Sequence, residues 1–286
     1  GNGANTITAG QGANSITGGS GADTITALDG GNFIDAGDGT NAVTSGNGND
    51  VIISGVGADT IVAGGGNDMI MARGGADTVN SGAGDDRLIV DYSAMTSAVT
   101  GGVTGGNLGS GYTGHIADSA GNSVDFVETE NFTITTGVGN DIITTGDGID
   151  MLSGGAGTNT LDGGGGTDTV DYSTNSGIAL GHGMTVNLAV GMASNGVNTN
   201  DTLISIENVI GTSLDDIIIG DAGNNVLQAG GGNDTLIGGA GTNTLDGGGG
   251  TDTVDYSNNP APAHGIAVDL GAGTATNGAN INDTLT

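Results

Sequence analysis

Twelve aspartates mark the places where this chain could do chemistry: Asp23, Asp50, Asp59, Asp68, Asp77, Asp86, Asp141, Asp150, Asp168, Asp216, Asp234 and Asp252. Each stands two residues before an aliphatic side chain, and all but Asp216 stand two residues after a glycine. Acid–base catalysis needs two carboxylates converging on one substrate, and a long periodic row does something else. It offers hard oxygen ligands at regular intervals. Asparagine takes the same place at Asn5, Asn14, Asn32, Asn41, Asn159, Asn225 and Asn243. It keeps one carbonyl oxygen and the turn conformation but supplies no charge.

The element that must position these side chains is short. In the first block the aliphatics run Ile7, Ile16, Ile25, Ile34, Val43, Ile52, Ile61, Ile70, Val79 and Leu88, nine residues apart throughout. Nine residues divide into a glycine-rich turn and about three extended residues, with the aliphatic pointing inward and its neighbours outward. Two such units close one 18-residue coil, because a single unit cannot bury its apolar residue alone. The expected fold is therefore all-β, built of stacked 18-residue coils with short β inserts. Coils stack at about 4.8 Å, which sets each Asp above the one 18 residues later. No stretch carries sustained helical periodicity.

The lattice divides the chain into blocks and inserts. Repeats occupy residues 1–93, 137–173 and 212–257, and inserts of β character occupy 94–136 and 174–211, with the start of a further one at 258–286. Each block closes on Val-Asp-Tyr-Ser, ending at Ser93, Ser173 and Ser257, and residues 154–173 recur letter for letter at 238–257. In the first insert, Tyr112 to Asp118 and Ser123 to Glu128 flank a turn at residues 119–122. The chain begins and ends inside modules, and is read as a window on a longer protein.

Charge then decides what the row requires. The chain has 32 acidic and two basic residues, a net charge of −30, with 63 glycines among its 286 residues and 2% aromatics. Such a balance ordinarily means disorder, but unstructured sequence has no reason to keep aliphatics in phase. Two carboxylates about 5 Å apart repel by roughly 3 kcal/mol at an effective dielectric of 20. Nearly no lysine or arginine is present to relieve that repulsion, so the cation comes from solution. An all-oxygen set of carboxylates and turn carbonyls disfavours zinc and copper and favours Ca²⁺ over Mg²⁺. Nucleic acid is excluded as a partner for want of basic groups, and no apolar run approaches the roughly 20 residues that span a bilayer. There is no cysteine, hence no disulfide and no thiolate metal site.

Residues 64–70, Gly-Gly-Gly-Asn-Asp-Met-Ile, and 230–236, Gly-Gly-Gly-Asn-Asp-Thr-Leu, resemble the RTX, or hemolysin-type, calcium-binding nonapeptide. Ala63 and Ala229 stand where the first turn glycine of that repeat is usual, a minor departure. The resemblance implies a right-handed parallel β-roll, or β-solenoid, with multiple Ca²⁺ ions between adjacent turns, ligated by paired Asp carboxylates and glycine-turn carbonyls. Those carbonyls are at Gly46 and Gly48 before Asp50, Gly64 and Gly66 before Asp68, and Gly82 and Gly84 before Asp86. The strongest sites are expected at Asp50/Asp68, Asp68/Asp86, Asp59/Asp77, Asp150/Asp168, Asp216/Asp234 and Asp234/Asp252. Asn14/Asn32 and Asn225/Asn243 are expected to be weak or empty.

Extracellular calcium modules bind at about 10⁻⁴–10⁻³ M. At about 10 mM Ca²⁺ each site then adds about 1.4–2.7 kcal/mol, and almost nothing at cytosolic levels. The resemblance implies export unfolded through a type I channel, with folding on arrival.

Other residues carry weaker signals. His115, His182 and His264 are isolated and read as structural, while Tyr92, Tyr172 and Tyr256 are expected to cover the last coil of each block. Glu130-Asn131 and Glu207-Asn208 are expected to shape the coil that follows them. One outward face carries Thr6, Thr8, Thr24, Thr26, Thr44, Thr60 and Thr78, an ordinary exposed strand surface. The other carries Phe33, Val51, Ile53, Met69, Met71 and Ile89, which predicts an interface covered by an insert or a neighbouring subunit. No catalytic triad, phosphate loop or HExxH helix is present. The expected role is a non-enzymatic, calcium-folded segment of a large secreted bacterial protein in a surface layer or extracellular assembly. An adhesin stalk or ligand-binding module, or the non-catalytic export domain of a secreted hydrolase, epimerase or toxin, is the alternative.

Overall fold

A computed structural model describes residues 1–174, 181–257, 267–269, 273–276 and 282–286. His264 lies outside them. The chain forms two compact units, one of Gly1–Asp150 with Gly164–Gly166 and the other of Met151–Gly163 with Thr167–Thr286. Both are built from strands, and the described residues contain no helix.

In the first unit the nonapeptides alternate between two sheets. Thr6–Thr8, Thr24–Thr26, Ala42–Thr44, Thr60–Val62 and Ala76–Asn80 stack in parallel in one. Ser15–Thr17, Phe33–Asp35, Val51–Ile53, Met69–Ala72, Arg87–Asp91 and Asn131–Thr135 stack in parallel in the other. The register within the repeats is 18 residues, as in Ile52 beside Ile70 and Ile70 beside Leu88. Ile25, Ile34, Ile52, Ile61, Ile70, Val79 and Leu88 are fully buried between the sheets. This is a β-roll, in which each aliphatic finds its core only through the coil above and below.

The insert of this unit continues the roll instead of standing apart from it. Ser123–Thr129 pairs in parallel with Ala76–Asn80, Gly111–Asp118 runs antiparallel to it, and Val99–Asn107 runs antiparallel to that strand. Val99–Asn107 then pairs in parallel with Ile142–Thr144. A three-stranded meander thus stands where one rung would be. The expected turn closes with the Asp118 N–H donating to the Asn122 carbonyl at 3.0 Å.

The second unit repeats the plan. Thr160–Asp162 pairs in parallel with Asn200–Ile204, which joins antiparallel to Met192–Ser194 and then Thr185–Asn187; parallel rungs at Ile217–Ile219, Thr235–Ile237 and Thr253–Val254 follow. Its other sheet runs through Met151–Ser153, Thr169–Asp171, Asn208–Ile210, Val226–Gln228, Thr244–Asp246 and Asn282–Leu285. Thr274–Thr276 and Ala267–Asp269 extend that sheet antiparallel.

Tight stacking explains the glycines. Gly66 has φ +125°, and a Cβ there would lie 2.5 Å from the Gly48 carbonyl oxygen of the coil below. A side chain at this position would push adjacent coils apart.

Candidate metal centre

The turns place the aspartates in columns, each locked to the rung before it. Asp68 Oδ1 accepts the Asp50 N–H at 2.8 Å, and Asp86 Oδ1 accepts the Asp68 N–H at 2.7 Å. On the opposite edge Asp23 Oδ1 accepts the Asn5 N–H at 2.7 Å and Asp77 Oδ1 accepts the Asp59 N–H at 3.0 Å. In the second unit Asp234 and Asp252 accept the N–H groups of Asp216 and Asp234 at 2.7 and 2.9 Å. Asp141 and Asp150 accept the N–H groups of Val99 and Phe132, each at 2.7 Å. Asp150 belongs to the first unit and Asp168 to the second.

The second carboxylate oxygen is the informative one. Oδ2 of Asp23, Asp59, Asp68, Asp77, Asp86 and Asp234 is buried with no hydrogen-bond partner. A buried charge in that position is costly unless something positive meets it. Burial pushes Asp77 up to about 7, with the neighbouring Asp59 charge adding to the push against the stabilising Asp59 N–H. Burial likewise raises Asp86 to about 7 and Asp68 to about 6, with Asp68 and Asp50 as the respective charged neighbours. Asp234 is raised to about 6 by burial and then by Asp216 and Asp252.

The asparagine rungs show what that oxygen faces. Asn14 Nδ2 donates to the carbonyls of Gly10 at 2.9 Å and Gly12 at 2.7 Å, and to Asn32 Oδ1 at 2.9 Å. Asn32 Nδ2 donates to Leu28 O, Gly30 O and Asp50 Oδ1 at 3.1, 2.6 and 3.0 Å. Asn41 Nδ2 reaches the Gly37 and Gly39 carbonyls at 2.9 and 3.2 Å. The amide thus sits among the carbonyls four and two residues earlier and, at Asn14 and Asn32, the side-chain oxygen one coil later. By the same register, Asp50, Asp68 and Asp86 face the carbonyls of Gly46 and Gly48, Gly64 and Gly66, and Gly82 and Gly84. The Ser45 hydroxyl serves Asp50, while at Asp68 and Asp86 every such group is an acceptor and none a donor. Only a cation or a proton satisfies such a set.

Among the described residues no three His, Cys, Asp or Glu side chains converge on a point that could hold a metal. The ligands must therefore include main-chain oxygens, which suits a hard ion taking six to eight oxygens. The nonapeptide family model, the RTX calcium-binding nonapeptide repeat, matches residues 1–34, 17–52, 53–88, 135–170, 210–245 and 229–258, more than half of the chain. The chain belongs to the RTX calcium-binding repeat family. No curated protein matches it. RTX nonapeptides bind multiple Ca²⁺ ions and are structural, typically non-catalytic segments of secreted proteins. The oxygens of this RTX chain fit that ion.

In this RTX chain local donors reach the second oxygen of two of the aspartates. Asp50 Oδ2 accepts the Ser45 hydroxyl, and Asp216 Oδ2 accepts the Thr212 N–H at 2.6 Å. Both carboxylates are therefore partly satisfied by local donors. On the other edge of that block, Asn225 and Asn243 are joined by the Asn225 N–H donating to Asn243 Oδ1 at 2.9 Å, and the Asn243 amide reaches Asp283 Oδ1 at 2.9 Å.

The nine-residue lattice passes over Asp201 and Asp283, and gives Glu130 and Glu207 only a shaping role. Tyr172 and Tyr256 donate their hydroxyls to Asp201 Oδ2 and Asp283 Oδ2, both at 2.9 Å. The recurrence of Asn-Asp-Thr-Leu at 200–203 and 282–285 is the signal that marks them in the sequence. Tyr92 has no such acceptor: it is buried and its hydroxyl is unpartnered. Val124 stands beside Asp77 in the register where Asp201 stands beside Asn159.

His115 Nδ1 and Asp125 Oδ1 lie 2.7 Å apart on neighbouring insert strands, both exposed. On the outer face, Phe33, Val51 and Met69 form one row, continued by Arg87, and Ile53, Met71 and Ile89 form the next. Phe33 and Met69 are each 44% exposed. The insert of this unit does not lie over them: its three meander strands extend the other sheet, and Asn131–Thr135 joins this sheet edge to edge beside Arg87–Asp91.

Proposed function

We propose that this chain is a calcium-hardened structural segment of an extracellular or cell-surface assembly, without catalysis of its own. The single observation that carries the reading is the set of buried carboxylate oxygens without a hydrogen-bond partner, at Asp68 and Asp86 in one unit and at Asp234 in the other. Asp50, Asp68 and Asp86 with the carbonyls of Gly46, Gly48, Gly64, Gly66, Gly82 and Gly84 would hold the ions of one edge. Asp23, Asp59 and Asp77 serve the opposite edge, and Asp141, Asp150, Asp168, Asp216, Asp234 and Asp252 serve the later repeats. A bound ion supplies the positive charge that lets successive rungs approach.

The chain's own residues do the rest. Turn glycines admit the close stacking, and one oxygen of each Asp fixes the preceding rung through its N–H. The aliphatic two residues later fills the core. Folding is thereby tied to the calcium level, so the chain is loose inside a cell and rigid outside it.

The half-open rows of Phe33, Val51 and Met69 and of Ile53, Met71 and Ile89 support self-association or a neighbouring subunit as the structural partner. Circular dichroism across a calcium titration tests the reading. A coil-to-β transition completed by about 10 mM Ca²⁺ is expected, roughly ten times the weakest affinity of such modules. A spectrum unchanged from chelator to that concentration would overturn it.

A further inference from the structure

The acidic column does not stop where the nonapeptides stop. Arg87 pairs with Asn131 and Leu88 with Phe132, which brings Glu130 alongside Asp86 at the place of the next aspartate. The Asp86 N–H donates to Glu130 Oε2 at 3.0 Å, as the N–H of Asp68 donates to Asp86 Oδ1 at 2.7 Å. Asp86 is fully buried and Glu130 is 5% exposed. Oδ2 of Asp86 is buried with no hydrogen-bond partner. Arg87 does not answer it, since its guanidinium donates to Phe132 O, Thr133 Oγ1 and Ile149 O. Glu130 lies outside the nonapeptide matches, which end at 88 and resume at 135.

The arrangement occurs a second time. Thr169 pairs with Asn208, so Glu207 stands beside Asp168, and the Asp168 N–H donates to Glu207 Oε2 at 2.8 Å. The two glutamates are reached after different lengths of chain, 44 residues from Asp86 and 39 from Asp168. Yet two residues before each glutamate the backbone makes the same bend: Glu128 has φ +57° and Ser205 φ +51°. No other described non-glycine residue has positive φ. The fold holds each glutamate on its rung by a local device, whatever the insert length.

We propose that Asp86 and Glu130 hold a calcium ion of their own, and that Asp168 and Glu207 form its copy. The ligands are the Asp86 and Glu130 carboxylates with turn carbonyls of the last coil, the same hard-oxygen chemistry as in the repeats. A glutamate, one methylene longer than aspartate, can bring both oxygens to a divalent ion. Such an ion ties the end of an insert to the repeats before it. The proposal rests on the calcium reading of the repeats.

Glutamine separates this role from that of a mere hydrogen-bond acceptor, because it keeps the oxygen that takes the Asp86 N–H and loses the charge. Bound calcium is counted by native mass spectrometry on the 286-residue chain, with circular dichroism to confirm folding. Glu130→Gln and Glu207→Gln should each lose one ion and the double variant two, while the control Asp68→Asn also loses at least one. A full count in both glutamine variants, with loss in Asp68→Asn, overturns the terminal sites and leaves the repeat sites standing. A full count in Asp68→Asn as well overturns the calcium reading itself. Should a glutamine variant not fold, a terbium-soaked crystal of the unsubstituted chain decides. An ion between Asp86 and Glu130 supports the site; ions elsewhere with none there overturn it.

Discussion

The side-chain amide of Asn32 donates to Oδ1 of Asp50 at 3.0 Å, joining two successive rungs with an uncharged group. The same amide holds the Gly30 carbonyl at 2.6 Å. An asparagine thus does with two N–H donors what its aspartate counterpart can do only with a cation. Along this edge Asn14 and Asn32 give way to Asp50, Asp68 and Asp86, so one end of the column is held by amides and the other by charge.

Asn32→Asp should convert an amide-held rung into an ion-held one. One additional Ca²⁺ per chain is expected by native mass spectrometry, with a lower melting temperature in chelator than the unsubstituted chain. An unchanged count together with an unchanged chelator melt would contradict the assignment of this amide.

Without calcium, the fold should be steadier in acid. Asp68, Asp77, Asp86 and Asp234 are raised to about 6 to 7 by burial first and by neighbouring charges second. An unfolded aspartate titrates near 3.9, so the folded chain holds the extra protons. Their stabilisation is complete below about pH 4 and is lost as pH rises through about 7. Urea midpoints in metal-free buffer should therefore be higher at pH 5 than at pH 7.5. Calcium displaces those protons, so titration calorimetry near pH 6 should register proton release, and affinity should fall on acidification.

Tyr172 and Tyr92 should answer differently to loss of the hydroxyl. Tyr172→Phe leaves the buried Asp201 carboxylate short of a donor, at a cost of about 1–3 kcal/mol. Tyr92→Phe removes a buried hydroxyl that has no partner, and is expected to be neutral or stabilising. Chemical denaturation of the two variants in saturating calcium makes the comparison. Equal losses would show that position at the block end, and not the Asp201 bond, sets the cost.

Met69→Lys replaces the last apolar member of the outer row, between Val51 and Arg87, with a charge. Sedimentation velocity in calcium should show weaker self-association, while circular dichroism and the calcium midpoint stay as before. A sedimentation profile identical to that of the unsubstituted chain would remove this face from the interface.

The repeat itself is legible in the order of the residues. A nine-residue period with one inward aliphatic leaves no other way to bury Ile52 or Ile70 than to stack coils, so the 18-residue register follows from the sequence. The meander of 99–129 is legible there only as strands and a turn. That it replaces a rung depends on which edge its ends pair with, and local propensity carries no information about that.

Sequence alone determined the spacing of the carboxylates and the near-absence of basic residues, and hence the need for a cation. Those are properties of order along the chain, and a fixed period turns order into position. Tertiary structure decided what lies opposite each side chain once the period fails. Asp86 meets Glu130 at a separation of 44 residues, Tyr172 finds Asp201, and the Tyr92 hydroxyl finds no partner. These contacts are long-range and aperiodic, so pairing between sheet edges creates them and no count along the sequence could reach them.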